Sequence, residues 1–136
     1  MQKLEGFFEV GYDRDRKLLR ITTYGFWNLD VVDQFGRAIA EAVRNADPMC
    51  DTLVDTYRTE VHTPEVSEAL ARISYSHKDA ETGRIAIVSP SILLRMQTKR
   101  LQNANTCYGY FNTEQEALDW LAMPVDPTAP QARAAG

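Results

Sequence analysis

The sequence predicts a single α/β domain: a mixed, mostly parallel sheet with an N-terminal antiparallel hairpin and about four helices packed on it. Three observations carry this. The first strands alternate apolar and polar residues, three later runs are short and continuously apolar, and capped helical stripes separate those runs. Continuous runs mark strands covered on both faces, and strand followed by helix, repeated, reads as parallel crossovers.

Taken in order, Phe8, Val10 and Tyr12 alternate with Phe7, Glu9 and Gly11, and Leu19, Ile21 and Thr23 alternate with Leu18, Arg20 and Thr22, across the polar turn Asp13-Arg14-Asp15-Arg16. This predicts a half-exposed hairpin over 8–12 and 18–23. Asn28 is placed to cap a helix over 29–46, with Asp30 in its first turn. Val32, Phe35, Gly36, Ile39, Val43 and Ala46 form its apolar stripe. Asp30, Asp33, Arg37, Glu41 and Arg44 form its solvated face, with Asp33 and Arg37 at i,i+4 spacing. Strands follow at "TLVDT", "RIAIVS" and "TCYGYF". Thr63 with Pro64 starts a helix over 64–76 whose stripe is Val66, Ala69, Leu70 and Ile73, with His77 at its end and Tyr75 on the outer face. In "SILLRMQTKRLQNAN", Leu93, Leu94, Leu101 and Ala104 share one face, while Ile92 and Met96 lie nearly opposite, beside Arg95, Lys99 and Asn103. Thr113 and Glu116 have capping-box spacing for a last helix that Pro124 ends. Trp27 and Trp120 are read as packing at the edge of the core.

The chain of 136 residues, 44% hydrophobic and 25% charged, fits one domain over 1–123, with a Pro/Ala-rich tail over 124–136. A net charge of -4 argues against a nucleic-acid partner, because phosphate neutralisation needs a clustered basic surface. Nothing near roughly 18 consecutive apolar residues occurs and the first residues are not a signal peptide, so a cytoplasmic protein without stable membrane insertion is expected. Cys50 and Cys107 lack metal-ligand or disulfide-framework spacing, so no metal and no cofactor is expected.

The richest chemistry lies in "LVDTYRTEVHTPEV", where a buried strand is expected to pass into a polar loop. Asp55, Tyr57, Arg58, Glu60, His62 and Thr63 follow the carboxyl end of a central strand, where open α/β sheets place their ligands. The candidate site is this loop together with Ile92, Arg95 and Met96 at the start of the third helix, an apolar pair among basic groups suited to a partner. Asp55 reads most simply as a carboxylate accepting loop N–H bonds, Arg58 as a surface or salt-bridged side chain, and Thr63 as a helix cap. Asp55, Glu60 and His62 contain the groups of an acid–base device, but no nucleophile or phosphate loop accompanies them, so no catalysis is expected and a small hydrolase is the weakest reading.

The hairpin "FEVGYDRDRKLLRITTYGFWNLDVVDQF", the strand "LVDTYRT", the Thr-Pro helix start, "RIAIV" and "YFNTEQEALDWL" together resemble the SpoIIAA-like proteins, over residues 7 to 123. These are relatives of the STAS domain of anti-sigma-factor antagonists, with a more distant likeness to the Sec14 lipid-transfer fold. The resemblance implies a non-enzymatic binding or regulatory module acting through protein–protein contact, with a homodimer open. In anti-sigma-factor antagonists a serine in an Asp-Ser-Ser-Gly-like stretch is phosphorylated; the matching position is Thr63, within His62-Thr63-Pro64-Glu65. A phosphate at a helix N-terminus is electrostatically tolerated. The alternative is a small carrier of an apolar or lipid-like ligand, suggested by the Sec14 likeness and by the aromatic residues Phe7, Phe8, Phe26, Trp27 and Tyr110. A closed apolar cavity inside the sheet–helix sandwich would favour the carrier, a filled core with an exposed loop the module, and a cleft joining His62 to a second titratable group the enzyme.

Overall fold

The computed structural model describes residues 4–77, 83–89, 91–102 and 106–124; the tail beyond Pro124, and Asn103 and Ala104 of the third helical pattern, lie outside the described residues. The elements are β1 (Phe7–Asp13), β2 (Leu18–Gly25), α1 (Leu29–Asn45), β3 (Asp51–Thr59), α2 (Pro64–Ser76), β4 (Ile85–Val88), α3 (Ile92–Lys99), β5 (Tyr108–Phe111) and α4 (Glu114–Ala122). They build one five-stranded sheet in the order β1-β2-β3-β4-β5; its antiparallel β1–β2 hairpin and parallel remainder are as the pattern predicts.

The hairpin closes because Asp13 Oδ1 accepts from the N–H of Asp15 and of Arg16, and Lys17 takes a left-handed φ of 51°. β1 is half-exposed, as expected. β2 is not: Leu18 and Leu19, on opposite faces, are both buried. Leu18 packs with Leu53, Ala86, Val88 and Ala117 beneath α4, whereas Leu19 lines the other face with Ile21, Val54 and Ile87. Strand alternation alone does not register α4, which comes from the far end of the chain.

All four helices start on a side-chain cap: Asn28, Thr63, Ser91 and Thr113 accept from Val31, Val66, Leu94 and Glu116 N–H respectively. The Asp33–Arg37 pair forms at 2.9 Å on the solvated face of α1. α1 and α2 meet at Gly36, where an added Cβ would come within 3.0 Å of Ile73, so the absence of a side chain sets the approach of the helices. The core between them is built on Trp27, Val32, Val66 and Leu70. Trp27 therefore stands at the centre of a core cluster, not at an edge: its ring meets Phe35 edge-on at 5.0 Å and its indole N–H donates to the Tyr24 carbonyl at 2.9 Å.

α4 is tied down by Arg84, a residue without a sequence signal beyond its place before an apolar run. Its guanidinium donates to the carbonyls of Trp120 (3.0 Å) and Leu121 (2.7 Å), lies 5.1 Å from the Trp120 ring and pairs with Asp51 at 3.8 Å. A cation on the last carbonyls of a helix satisfies orphan acceptors and opposes the negative end of its dipole.

Candidate functional site

The candidate loop read from Asp55 to Thr63 is in its first part a strand, as the resemblance through "LVDTYRT" implies. β3 runs to Thr59, so Asp55, Tyr57 and Arg58 belong to a strand that outlasts β4 and continues against β2. The register shifts between Thr22 and Tyr24: Thr22 is opposite Asp55, but Tyr24 is opposite Arg58, so β3 carries one extra residue. Such a bulge bends a strand and re-aims a side chain. Asp55 stabilises it, its Oδ1 accepting from the Tyr57 N–H at 2.9 Å. Thr56 Oγ1 donates to the Val88 carbonyl at 2.7 Å, and the hydroxyls of Thr23 and Thr59 hydrogen-bond across the strands. Thr56 is buried, whereas Tyr57 is left 62% exposed with Arg58 exposed beside it.

From Glu60 the chain turns away under tight backbone control. Glu60 N–H donates to the Gly25 carbonyl at 3.0 Å. Gly25 has φ 74° and the carbonyls of Leu4 and Glu5 against the place of a Cβ, which only glycine accommodates. His62 is held by Gln97 of α3, whose side-chain amide accepts from the His62 N–H at 2.9 Å and donates to the His62 carbonyl at 2.8 Å. The His62 ring lies 5.9 Å from Trp27; burial lowers its pKa to about 4, and Nδ1 is buried without a hydrogen-bond partner. Thr63 Oγ1 accepts from the Val66 N–H at 3.3 Å and Pro64 opens α2. The acid–base grouping that the sequence allowed is not assembled: Asp55 serves the bulge, Glu60 is exposed and His62 packs inward as a neutral ring.

At the start of α3, Ile92 (78%), Leu93 (63%) and Met96 (55%) are exposed together. Ile92 and Met96 are surface residues as the helical pattern indicates, but Leu93, expected on the inner face with Leu94, is not; only Leu94 is buried. With a helix of eight residues, the 100° between successive positions is enough to put one of two adjacent leucines outside. Leu93 and Gln97 are i,i+4 neighbours, so this apolar group adjoins the helix edge that holds His62. Arg95 is engaged internally: Nε and Nη2 donate to the Ser89 carbonyl at 3.2 and 2.9 Å, Nη2 also to Asn112 Oδ1 at 3.2 Å, and the guanidinium lies 5.8 Å from the Tyr110 ring. It fixes the β4–α3 connection.

Among the described residues no helix is long and apolar enough to cross a membrane.

No family model matches the chain, and neither does any curated protein. Solved structures do. An uncharacterised protein from Shewanella loihica, of the DUF3478 family and with a SpoIIAA-like fold, superposes with a TM-score of 0.65 at 16% identity, over 90% of this chain and 99% of that one. An anti-sigma factor antagonist from Mycobacterium paratuberculosis gives 0.59 at 14% identity, over 87% and 95%. With the sheet order and the helix placement, these matches establish that the chain has the SpoIIAA-like, STAS-related fold that its sequence resembles.

Proposed function

We propose that the protein is a non-enzymatic, cytoplasmic regulatory module that binds a protein partner through the surface formed by the end of β3, the β3–α2 connection and the start of α3, within a domain spanning 1–123 and followed by a tail over 124–136. The observation that carries this reading is the exposure of Ile92, Leu93 and Met96 on one turn of a helix. Large apolar side chains grouped in this way mark contact surfaces more often than solvated ones. Tyr57, an aromatic residue suited to interfaces, is displayed at the same strand-end side of the molecule by a bulge with a dedicated carboxylate. The likeness to an anti-sigma factor antagonist supports a regulatory role. Inward packing of His62 and the engagement of Asp55 at the bulge support binding over catalysis.

Within this reading Arg95 is a positioning residue, and Glu60, Arg58, Tyr57, Ile92, Leu93 and Met96 provide the contact. Thr63 is the helix cap behind them and the position at which phosphorylation would change the surface charge. The test is purification of the tagged full chain from its native cell beside a Leu93→Glu variant with unchanged melting. A protein recovered with the wild type and lost with the variant is expected; identical recovery would overturn the assignment of this surface.

A further inference from the structure

Between the sheet and α1–α2 lies a cavity of about 270 Å³, lined on the sheet side by Leu19, Ile21, Val54 and Ile87 and on the helix side by Ile39 and Ile73. The pocket is half enclosed, and an apolar pocket with few polar groups is the usual form of a small-molecule site. Water fits poorly. The helix hydroxyls that reach the lining are already engaged, Ser74 with the Leu101 carbonyl and Thr98 with the Leu94 carbonyl at 2.8 Å, and a buried water needs two or more polar partners.

We infer that this cavity is a binding site for an uncharged, predominantly apolar small molecule. An apolar cavity of roughly 150 Å³ admits benzene, so the present volume corresponds to about ten non-hydrogen atoms, the size of naphthalene or of a medium alkyl chain. The charge preference follows from the lining. Among the described residues it includes Asp47, Cys50 and His77 but no lysine or arginine, so a carboxylate ligand would meet an acidic side chain and no counter-charge from them. The lining also includes Asp47, Pro48 and Cys50, between α1 and the start of β3, and His77 after α2. That end is the opposite end of the parallel strands from Tyr57 and Thr63, and the inference is independent of the protein-binding role.

The test uses the full chain labelled with 13C at isoleucine methyls, titrated with naphthalene, 1-decanol, decanoate and decylammonium. Ile21, Ile39, Ile73, Ile85 and Ile87 line the cavity, and Ile92 is a surface control. Saturable shifts at the methyls of these five lining isoleucines with naphthalene or decanol, none at Ile92, and at least about tenfold weaker binding of decanoate are expected. Filling the space with Ile39→Trp, or with Ala46→Phe where the first variant does not fold, should abolish the shifts in a folded protein. Absence of saturable shifts, shifts of equal size at Ile92, decanoate binding as tight as decanol, or unchanged binding in a folded, filled variant would each overturn the site.

Discussion

Gln97 spans the backbone of His62 with both ends of its side-chain amide, accepting from the N–H and donating to the carbonyl, so that one residue of α3 holds the connection between β3 and α2. The shape of the proposed contact surface depends on this clip. Among the described residues the other backbone hydrogen bond that holds the loop from Glu60 to Thr63 before the helix cap is Glu60–Gly25.

Gln97→Ala leaves a part-buried donor and acceptor without partners and is expected to destabilise the fold by about 1 to 3 kcal/mol. Gln97→Glu retains the acceptor for the N–H but faces the carbonyl with a carboxylate, so it should recover only part of the loss. Chemical denaturation measures both, and faster amide exchange at His62 in the Ala variant localises the effect. Unchanged exchange at His62 would show that the clip does not restrain the loop.

Thr63 acts first as a cap. Thr63→Ala should cost about 0.5 to 2 kcal/mol, and Thr63→Ser or Thr63→Asp should largely retain the helix start. A phosphorylation switch at the same residue has a different signature: Thr63→Asp would alter partner binding at near-native stability, and native-cell lysate would phosphorylate the wild type but not the Ala variant. Thermal melts and a lysate phosphorylation assay separate the two roles.

His62 gives the fold an acid sensitivity whose sign is fixed by burial. Its folded pKa of about 4 lies below the ordinary 6.5, so the neutral ring is favoured in the fold and stability is unaffected above pH 6.5. Between those values the unfolded chain takes up a proton that the folded chain refuses, and stability falls as pH falls, by up to about 1.4 kcal/mol per pH unit and by less in proportion to the ring's solvent contact. Below pH 4 this contribution is constant. The same chain with His62→Gln should show a shallower decline over that window in denaturation midpoints; an identical slope would mean that His62 titrates normally.

Most of the fold was legible because its signals are local. Caps at Asn28, Thr63 and Thr113, the stripe from Val32 to Val43 and the apolar runs of the later strands are each written within one element. What was missed depends on contacts distant in the chain. Burial of Leu18 is caused by α4, the anchoring role of Arg84 by carbonyls 36 and 37 residues away, and the role of Gln97 by a backbone 35 residues away. The extension of β3 to Thr59 agrees with the strand "LVDTYRT" of the resemblance and with the β-favouring Thr and Tyr of "TYRT", and it is the pairing with β2 that decides it against the loop reading from Asp55. The placement of Asp55 to Thr63 toward the carboxyl end of a central strand was legible in the strand pattern, and the bulge-holding role of Asp55 matches the simple carboxylate reading. Arg95, chosen for its charge, proved to be held by Ser89 and Asn112, because charge says where a side chain can work and not which carbonyl lies nearest.

The most direct test of the contact surface is site-specific photo-crosslinking in the native cell, with a photoreactive residue replacing Leu93 in one strain and Arg37, on the solvated face of α1, in another. The account predicts a discrete adduct with one other protein from position 93 and none from position 37. No adduct at position 93, the same adducts from both positions, or an adduct only between two copies of this chain would contradict it.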